Sequence, residues 1–160
     1  MSKEKIYLFD TTLRDGAQTE GVDFSLDDKF KIASSLSNIG IDYIEGGWPG
    51  ANPTDTSFFN EPPKLKSNLV AFGMTKRTGR SCENDPGISS IVNAKVNHTC
   101  IVGKSWDFHV KIALGISNDE NLENIRRKKK SVYDHCDTVI EIYISRVLIF
   151  YCNDLFQHQK

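Results

Sequence analysis

Ile6-Tyr7-Leu8-Phe9-Asp10-Thr11-Thr12-Leu13-Arg14-Asp15-Gly16-Ala17-Gln18 runs from four consecutive apolar residues directly into a polar loop that sets an arginine beside a carboxylate. An unbroken apolar run of this length suits a parallel strand buried on both faces better than a half-exposed strand, which would alternate. The reading is therefore a strand over Ile6–Phe9 that ends at Asp10, then a loop from Thr11 to about Phe24. Ser25 follows as a helix N-cap, with Asp27 and Asp28 in the first turn where the helix dipole favours negative charge. Leu26, Phe30, Ala33, Leu36 and Ile39 recur at helical spacing, and Gly40 closes the helix.

The plan then repeats. Tyr43-Ile44-Glu45 is strand-like and runs into a Gly/Pro-rich loop, Gly46 to Pro53, with a short helix from Thr54 to Glu61 ended by Pro62-Pro63. Leu69–Phe72 and Thr99–Val102 read as a third and a fourth strand. Ile88–Ala94, Trp106–Leu114 and Asn121–Tyr133 read as helices. Alternation of this kind builds βα units and a parallel sheet. Polar residues of chemical interest follow the strands: Arg14 and Asp15, then Glu45 and Trp48, then Thr75 and Arg77, then Lys104. Barrels and open α/β sheets both bind ligands at the carboxyl ends of their strands, so this pattern alone fits either architecture.

Twenty basic and twenty-one acidic residues leave a net charge of −1, which gives no electrostatic pull toward nucleic acid or an anionic membrane. The one dense basic run, Arg126 to Lys130, reads as a solvated helix end, with a binding patch as the alternative. The apolar stretch Thr138–Cys152 is too short for a membrane span and carries Glu141 and Arg146. Cys82, Cys100, Cys136 and Cys152 include no Cys-x-x-Cys pair, and the chain opens on the polar Met1-Ser2-Lys3-Glu4-Lys5. Reduced thiols in a cytoplasmic protein are the expectation.

Arg14 and Asp15 carry the chemistry. A carboxylate at a strand mouth suits a hard divalent cation, and an always-charged guanidinium beside it suits a developing oxyanion. Arg-Asp-Gly by itself reads first as a surface ion pair in a turn. The longer string Asp10 to Gln18, however, resembles the signature of the DRE-TIM metallolyase superfamily, which includes citramalate, 2-isopropylmalate and homocitrate synthases and HMG-CoA lyase. Gly40 to Asp55, Phe72 to Arg77 and Ile101 to Val110 resemble later stretches of the same family in the same order. Trp48-Pro49-Gly50 and Gly103-Lys104-Ser105-Trp106-Asp107 are most similar to its citramalate branch. The resemblance covers about residues 5 to 140.

It implies a partial (β/α)8 TIM barrel, roughly its first four to five βα units. Residues 1–140 would be the N-terminal part of a catalytic domain, and residues 141–160 a divergent tail. It also implies condensation of acetyl-CoA with pyruvate, with 2-isopropylmalate or homocitrate synthesis or a non-catalytic remnant as alternatives. Arg14 would be the catalytic arginine, Asp15 a ligand of a divalent metal (Mg2+, Mn2+ or Zn2+), and Gln18 part of the substrate-site floor. Glu45 would be a catalytic carboxylate near the metal or a structural partner of Arg14. Thr75 and His109 would be substrate-pocket residues, with a ligand-free helix-face histidine as the alternative for His109 and a structural ion pair for Arg77. Complete relatives are expected to be homodimers.

The chain departs from the family in several ways, among them the absence of the glutamate-containing segment that relatives place after the beginning of the fifth strand. A full barrel takes about 250 residues. The family's later His-x-His ligand pair has no counterpart, because His98, His109, His135 and His158 stand apart. From Glu141 onward the text resembles nothing in the family. It reads as out-of-frame translation, with a real divergent strand and tail as the alternative. The chain alone is expected to be inactive.

Overall fold

The computed structural model describes residues 5–133, 138–144 and 149–152, and side chains as far as Arg126. Strand β1 (Phe9–Asp10) leads to helix α1 (Leu26–Ile39), β2 (Tyr43–Gly47), α2 (Pro53–Asn60), β3 (Asn68–Met74), α3 (Pro86–Val92) and β4 (His98–Lys104). Then come α4 (Asp107–His109), a π-helical turn at Val110–Leu114, α5 (Asn118–Tyr133), β5 (Thr138–Ile144) and β6 (Ile149–Cys152). The sheet order follows the chain, β1 to β6, and β1 to β5 are parallel throughout. A parallel sheet in sequence order with helical crossovers on one side is a partial (β/α) barrel.

Local chemistry sets the first unit. The Ser25 side chain accepts from the Asp28 N–H and the Asp28 carboxylate accepts from the Ser25 N–H, a reciprocal capping box. Gly40 closes α1 in the left-handed conformation at φ 96°. The central strands β2, β3 and β4 are buried along their lengths. Their outer face packs Ile44, Leu69 and Ala71 against Ala33 of α1 and Phe58 and Phe59 of α2. Their inner face gathers Val70, Phe72, Cys100 and Val102, with Phe9, Tyr43, Trp48 and Met74 beside them. Aromatic side chains of this size dominate the burial that holds such layers together.

Three expectations need correction. Ile6, Tyr7 and Leu8 are not a buried strand: they are 83%, 44% and 55% exposed. They precede a ladder that begins at Phe9 and lie at the sheet's β1 edge, where among the described residues no strand flanks the other side. The single helix expected at Trp106–Leu114 is instead one turn of α-helix followed by the π-helical turn, ended by Gly115 at φ 65°. Strict alternation also stops: β6 pairs antiparallel with β5, Ile144 opposite Ile149. Thr138–Ile144 nevertheless continues the parallel sheet in register with His98–Lys104, so the barrel-like order reaches past residue 140. Residues 134–137, 145–148 and 153–160, with His135, Cys136 and His158, lie outside the described residues. So do the side chains of the basic run beyond Arg126 and that of Cys152.

At Gly46-Gly47 the register between β2 and β3 shifts. Gly47 adopts φ +136°, and a Cβ there would stand 2.6 Å from the Asp55 carboxylate. Only glycine satisfies both constraints. Gly47→Ala should lower the free energy of unfolding by about 1–3 kcal/mol. Gly40→Ala, where a Cβ meets nothing within 4 Å, should cost less. Urea denaturation of the two variants checks the order.

Candidate active site

Asp10 ends β1 and folds the loop after it. Its carboxylate accepts from the Thr12 N–H at 2.9 Å and the Thr12 hydroxyl at 3.0 Å. The Thr11 carbonyl then receives the N–H groups of Arg14 (3.1 Å) and Asp15 (2.8 Å). A short polar side chain bonding its own backbone two residues on is the usual device for such a turn. Leu13 is thereby driven fully into the core, and Arg14 is turned onto the sheet's inner face.

There the Arg14 guanidinium lies 4.1 Å above the centroid of the Phe72 ring. Its Nε donates to Glu45 Oε2, and its Nη1 pairs with Asp15 Oδ1 at 2.7 Å. Glu45 shows no exposed surface, while the Asp15 side chain is 53% exposed. The guanidinium is thus gripped from below by a carboxylate and a ring face and reaches solvent from its other edge. Burial pushes the Glu45 carboxyl above its ordinary value; the Arg14 bond and charge offset only part of this. The Cys100 thiol sits against the same carboxylate and is held above the usual thiol range, by burial first and by Glu45 second. Glu45 Oε1 is buried without a hydrogen-bond partner.

A cleft of about 780 Å³ opens above this pair, its lining including Arg14, Asp15, Gln18, Trp48, Phe72 and Lys104. The arginine, its neighbouring carboxylate and Gln18 are therefore brought together at the strands' carboxyl ends, with Glu45 beneath them. Thr75 and His109 do not line this cleft. The Thr75 N–H donates to the Val102 carbonyl at 3.2 Å, and His109 packs its ring 4.4 Å from Trp106 with Nδ1 buried and without a partner. Arg77 is exposed, and its backbone N–H donates to the Asp85 carboxylate at 2.7 Å.

Two cleft residues escaped the sequence reading, Lys29 and Asp55. Lys29 is 2% exposed and donates to the carbonyls of Leu13 (3.1 Å) and Gly46 (2.8 Å) and to Asp55 Oδ1. Its signal was there: Leu26, Lys29 and Ala33 share one face of α1, so a lysine lies on the apolar stripe. Asp55 stands in the first turn of α2, where a carboxylate is common and marks no site by itself.

A divalent ion of the Mg2+ or Mn2+ kind takes several oxygen ligands in fixed geometry. Among the described residues no three acidic, histidine or cysteine side chains converge, and one oxygen of Asp15 is already taken by Arg14. These residues do not make a divalent-cation site by themselves. The Cys82 and Cys100 thiols form no disulfide. No described helix is long and apolar enough to cross a membrane.

The HMGL-like family model matches residues 5–144. The chain belongs to the HMGL-like family. Within it, this HMGL-like chain is 46% identical to the (R)-citramalate synthase of Aquifex aeolicus over 140 residues, which is 86% of the chain and 26% of that protein. It is 47% identical to the Geobacter sulfurreducens (R)-citramalate synthase over 123 residues, 75% of the chain and 23% of that protein. The 2-isopropylmalate synthase of Sulfolobus acidocaldarius is 29% identical over 135 residues, 84% of the chain and 34% of that protein. The fold matches hydroxymethylglutaryl-CoA lyase from Pseudomonas aeruginosa at a TM-score of 0.66 and 18% identity, covering 87% of this chain and 46% of that one. The chain thus spans about a quarter of the length of the citramalate synthases it matches, and the expected partial barrel is borne out.

The raised Glu45 carboxyl has a signed consequence. Its folded form holds the proton more tightly than the unfolded chain does. Its contribution to stability is therefore fully present below the ordinary value of 4.5 and is lost as pH rises through the raised folded value. Measured against Glu45→Gln, wild-type stability should fall over that window. Parallel thermal melts at stepped pH check this, and a difference that grows with pH would contradict it.

Proposed function

We propose that this chain supplies the first βα units of an acyl-CoA:2-oxo acid condensing site of the (R)-citramalate synthase type. The catalytic portion, read from the sequence as residues 1–140, extends through β5 to Ile144, and the divergent tail follows it. The observation that carries the reading is Arg14 fixed by Glu45 and Phe72 at the floor of a cleft at the strands' carboxyl ends. The higher identity to citramalate synthases than to a 2-isopropylmalate synthase supports the choice of branch.

In the proposed reaction the acetyl-CoA methyl group loses a proton, and the resulting carbon nucleophile attacks the keto carbon of pyruvate. Water then cleaves the thioester, releasing citramalate and CoA. Negative charge builds on oxygen in both carbon-bond steps. Arg14, always protonated and held without freedom to turn, opposes that charge without reorganising. It cannot serve as the base. Gln18 and Lys104, which line the cleft, would bind substrate carboxylate or carbonyl oxygens. Asp15 is an exposed carboxylate beside Arg14, and it would join a metal ion once further ligands are present.

The reading is tested by replacing the matched stretch of the Aquifex aeolicus enzyme with residues 1–140 of this chain. The hybrid should form citramalate and release CoA from acetyl-CoA and pyruvate, whereas the 160-residue chain alone should release none. In the hybrid, Arg14→Lys should lower kcat about a hundredfold or more with little change in KM for pyruvate. A folded but inactive hybrid would overturn the proposal, as would a variant with raised KM and unchanged kcat.

A further inference from the structure

The buried ammonium of Lys29 touches three separate pieces of chain, and each piece adjoins a cleft residue. The Leu13 carbonyl, at 3.1 Å, belongs to the peptide unit that leads into Arg14. The Gly46 carbonyl, at 2.8 Å, directly follows Glu45 in the chain. The third acceptor is Asp55 Oδ1, and the other oxygen of that carboxylate receives the Trp48 N–H at 2.8 Å. Trp48 in turn stands edge-on to Phe72 with ring centroids 5.4 Å apart, and Phe72 is the face on which Arg14 rests. The contacts close a circuit from Lys29 out to Arg14, Glu45 and Trp48 and back across Phe72.

We propose that the Lys29–Asp55 pair is the positioning device of this site, holding the Arg14 loop and the Glu45 strand at a fixed separation. The proposal rests on reading Arg14 as the group that meets substrate. An ammonium has three donors, and here all three are used inside the protein. Moving any one segment leaves a buried charge short of a partner, so the three segments move together or not at all. Stability alone does not explain the arrangement, because apolar residues of similar volume commonly replace a buried ion pair at no loss. The chain instead makes local sacrifices for it. Gly47 is left without a side chain so that the Asp55 carboxylate can approach, and a lysine occupies the apolar stripe of α1.

The test uses the full 15N-labelled chain and reads no catalysis, so an inactive hybrid enzyme and a failed positioning role are separate results. The Arg14 Nε–H resonance, assigned by its loss in Arg14→Lys, reports the bond to Glu45. In the double variant Lys29→Met with Asp55→Leu, the backbone amides of β3 and β4 should keep their exchange protection. The Arg14 Nε–H should exchange about tenfold faster or more, since its bond to Glu45 no longer has a fixed geometry. Lys29→Met alone should melt below the double variant, because it leaves the Asp55 carboxylate buried and unpaired. An unchanged Arg14 Nε–H in the folded double variant would overturn the positioning role. So would a single variant more stable than the double, or loss of the fold in both, which would assign the pair to stability alone.

Discussion

Lys29 places a full positive charge where almost no solvent reaches, and the chain around it is arranged to answer that charge. The loop carrying Arg14 presents a carbonyl, the bulge at the end of β2 presents a second, and α2 presents Asp55 from its first turn. Asp55 can reach inward only because α2 starts where it does. The Asn52 side chain caps it, Pro53 begins it, and the Asp55 N–H donates to Asn52 Oδ1 at 2.7 Å. The functional end of the sheet thus follows from one desolvated cation more than from the sheet ladder. β1 contributes only a two-residue pairing, Phe9 with Tyr43 and Asp10 with Ile44.

What lies above that cation is a second charge arrangement with the opposite logic. Lys29 uses all its donors internally, whereas Arg14 spends one edge on Glu45 and keeps another toward the cleft beside Asp15. A guanidinium suits this division, because its planar fork can be gripped on one side and still present donors on the other. A lysine at position 14 would carry the charge without the orientation. Beneath it, Glu45 and Cys100 share a buried inner face: burial raises both groups, Glu45 raises the thiol further, and the thiol acts the other way on the carboxyl and lowers it.

Much of this was legible in the sequence because it is local. Ser25 and Gly40 bound α1 as read, and the apolar runs of β3 and β4 lie where the residues placed them, a residue or two longer at each end. Arg14, Asp15 and Gln18 could be assigned to a strand-end loop because the Asp10 turn is written in adjacent residues. Glu45 as a partner of Arg14 was one of two open readings, and the short contact between them shows that pairing. Features that depend on distant segments were not legible. The place of Lys29 on the apolar stripe of α1 marks it as buried but does not name its acceptors, which lie 16, 17 and 26 residues away in sequence. Ile6 to Leu8 looked buried, because hydrophobicity does not say whether an edge has a neighbour. The break between α4 and the π-helical turn carries no glycine or proline to announce it, and it leaves His109 packed on Trp106 instead of facing the cleft.

Arg14 and Glu45 act as one unit at the cleft floor. A double-mutant cycle measures this most directly, using Arg14→Met, Glu45→Gln and the double variant unfolded in urea at neutral pH. Two residues in contact through a charge-assisted bond should show a coupling of about 1–3 kcal/mol. Additive effects, with a coupling below about 0.3 kcal/mol, would mean that the two side chains do not hold each other and would contradict the account.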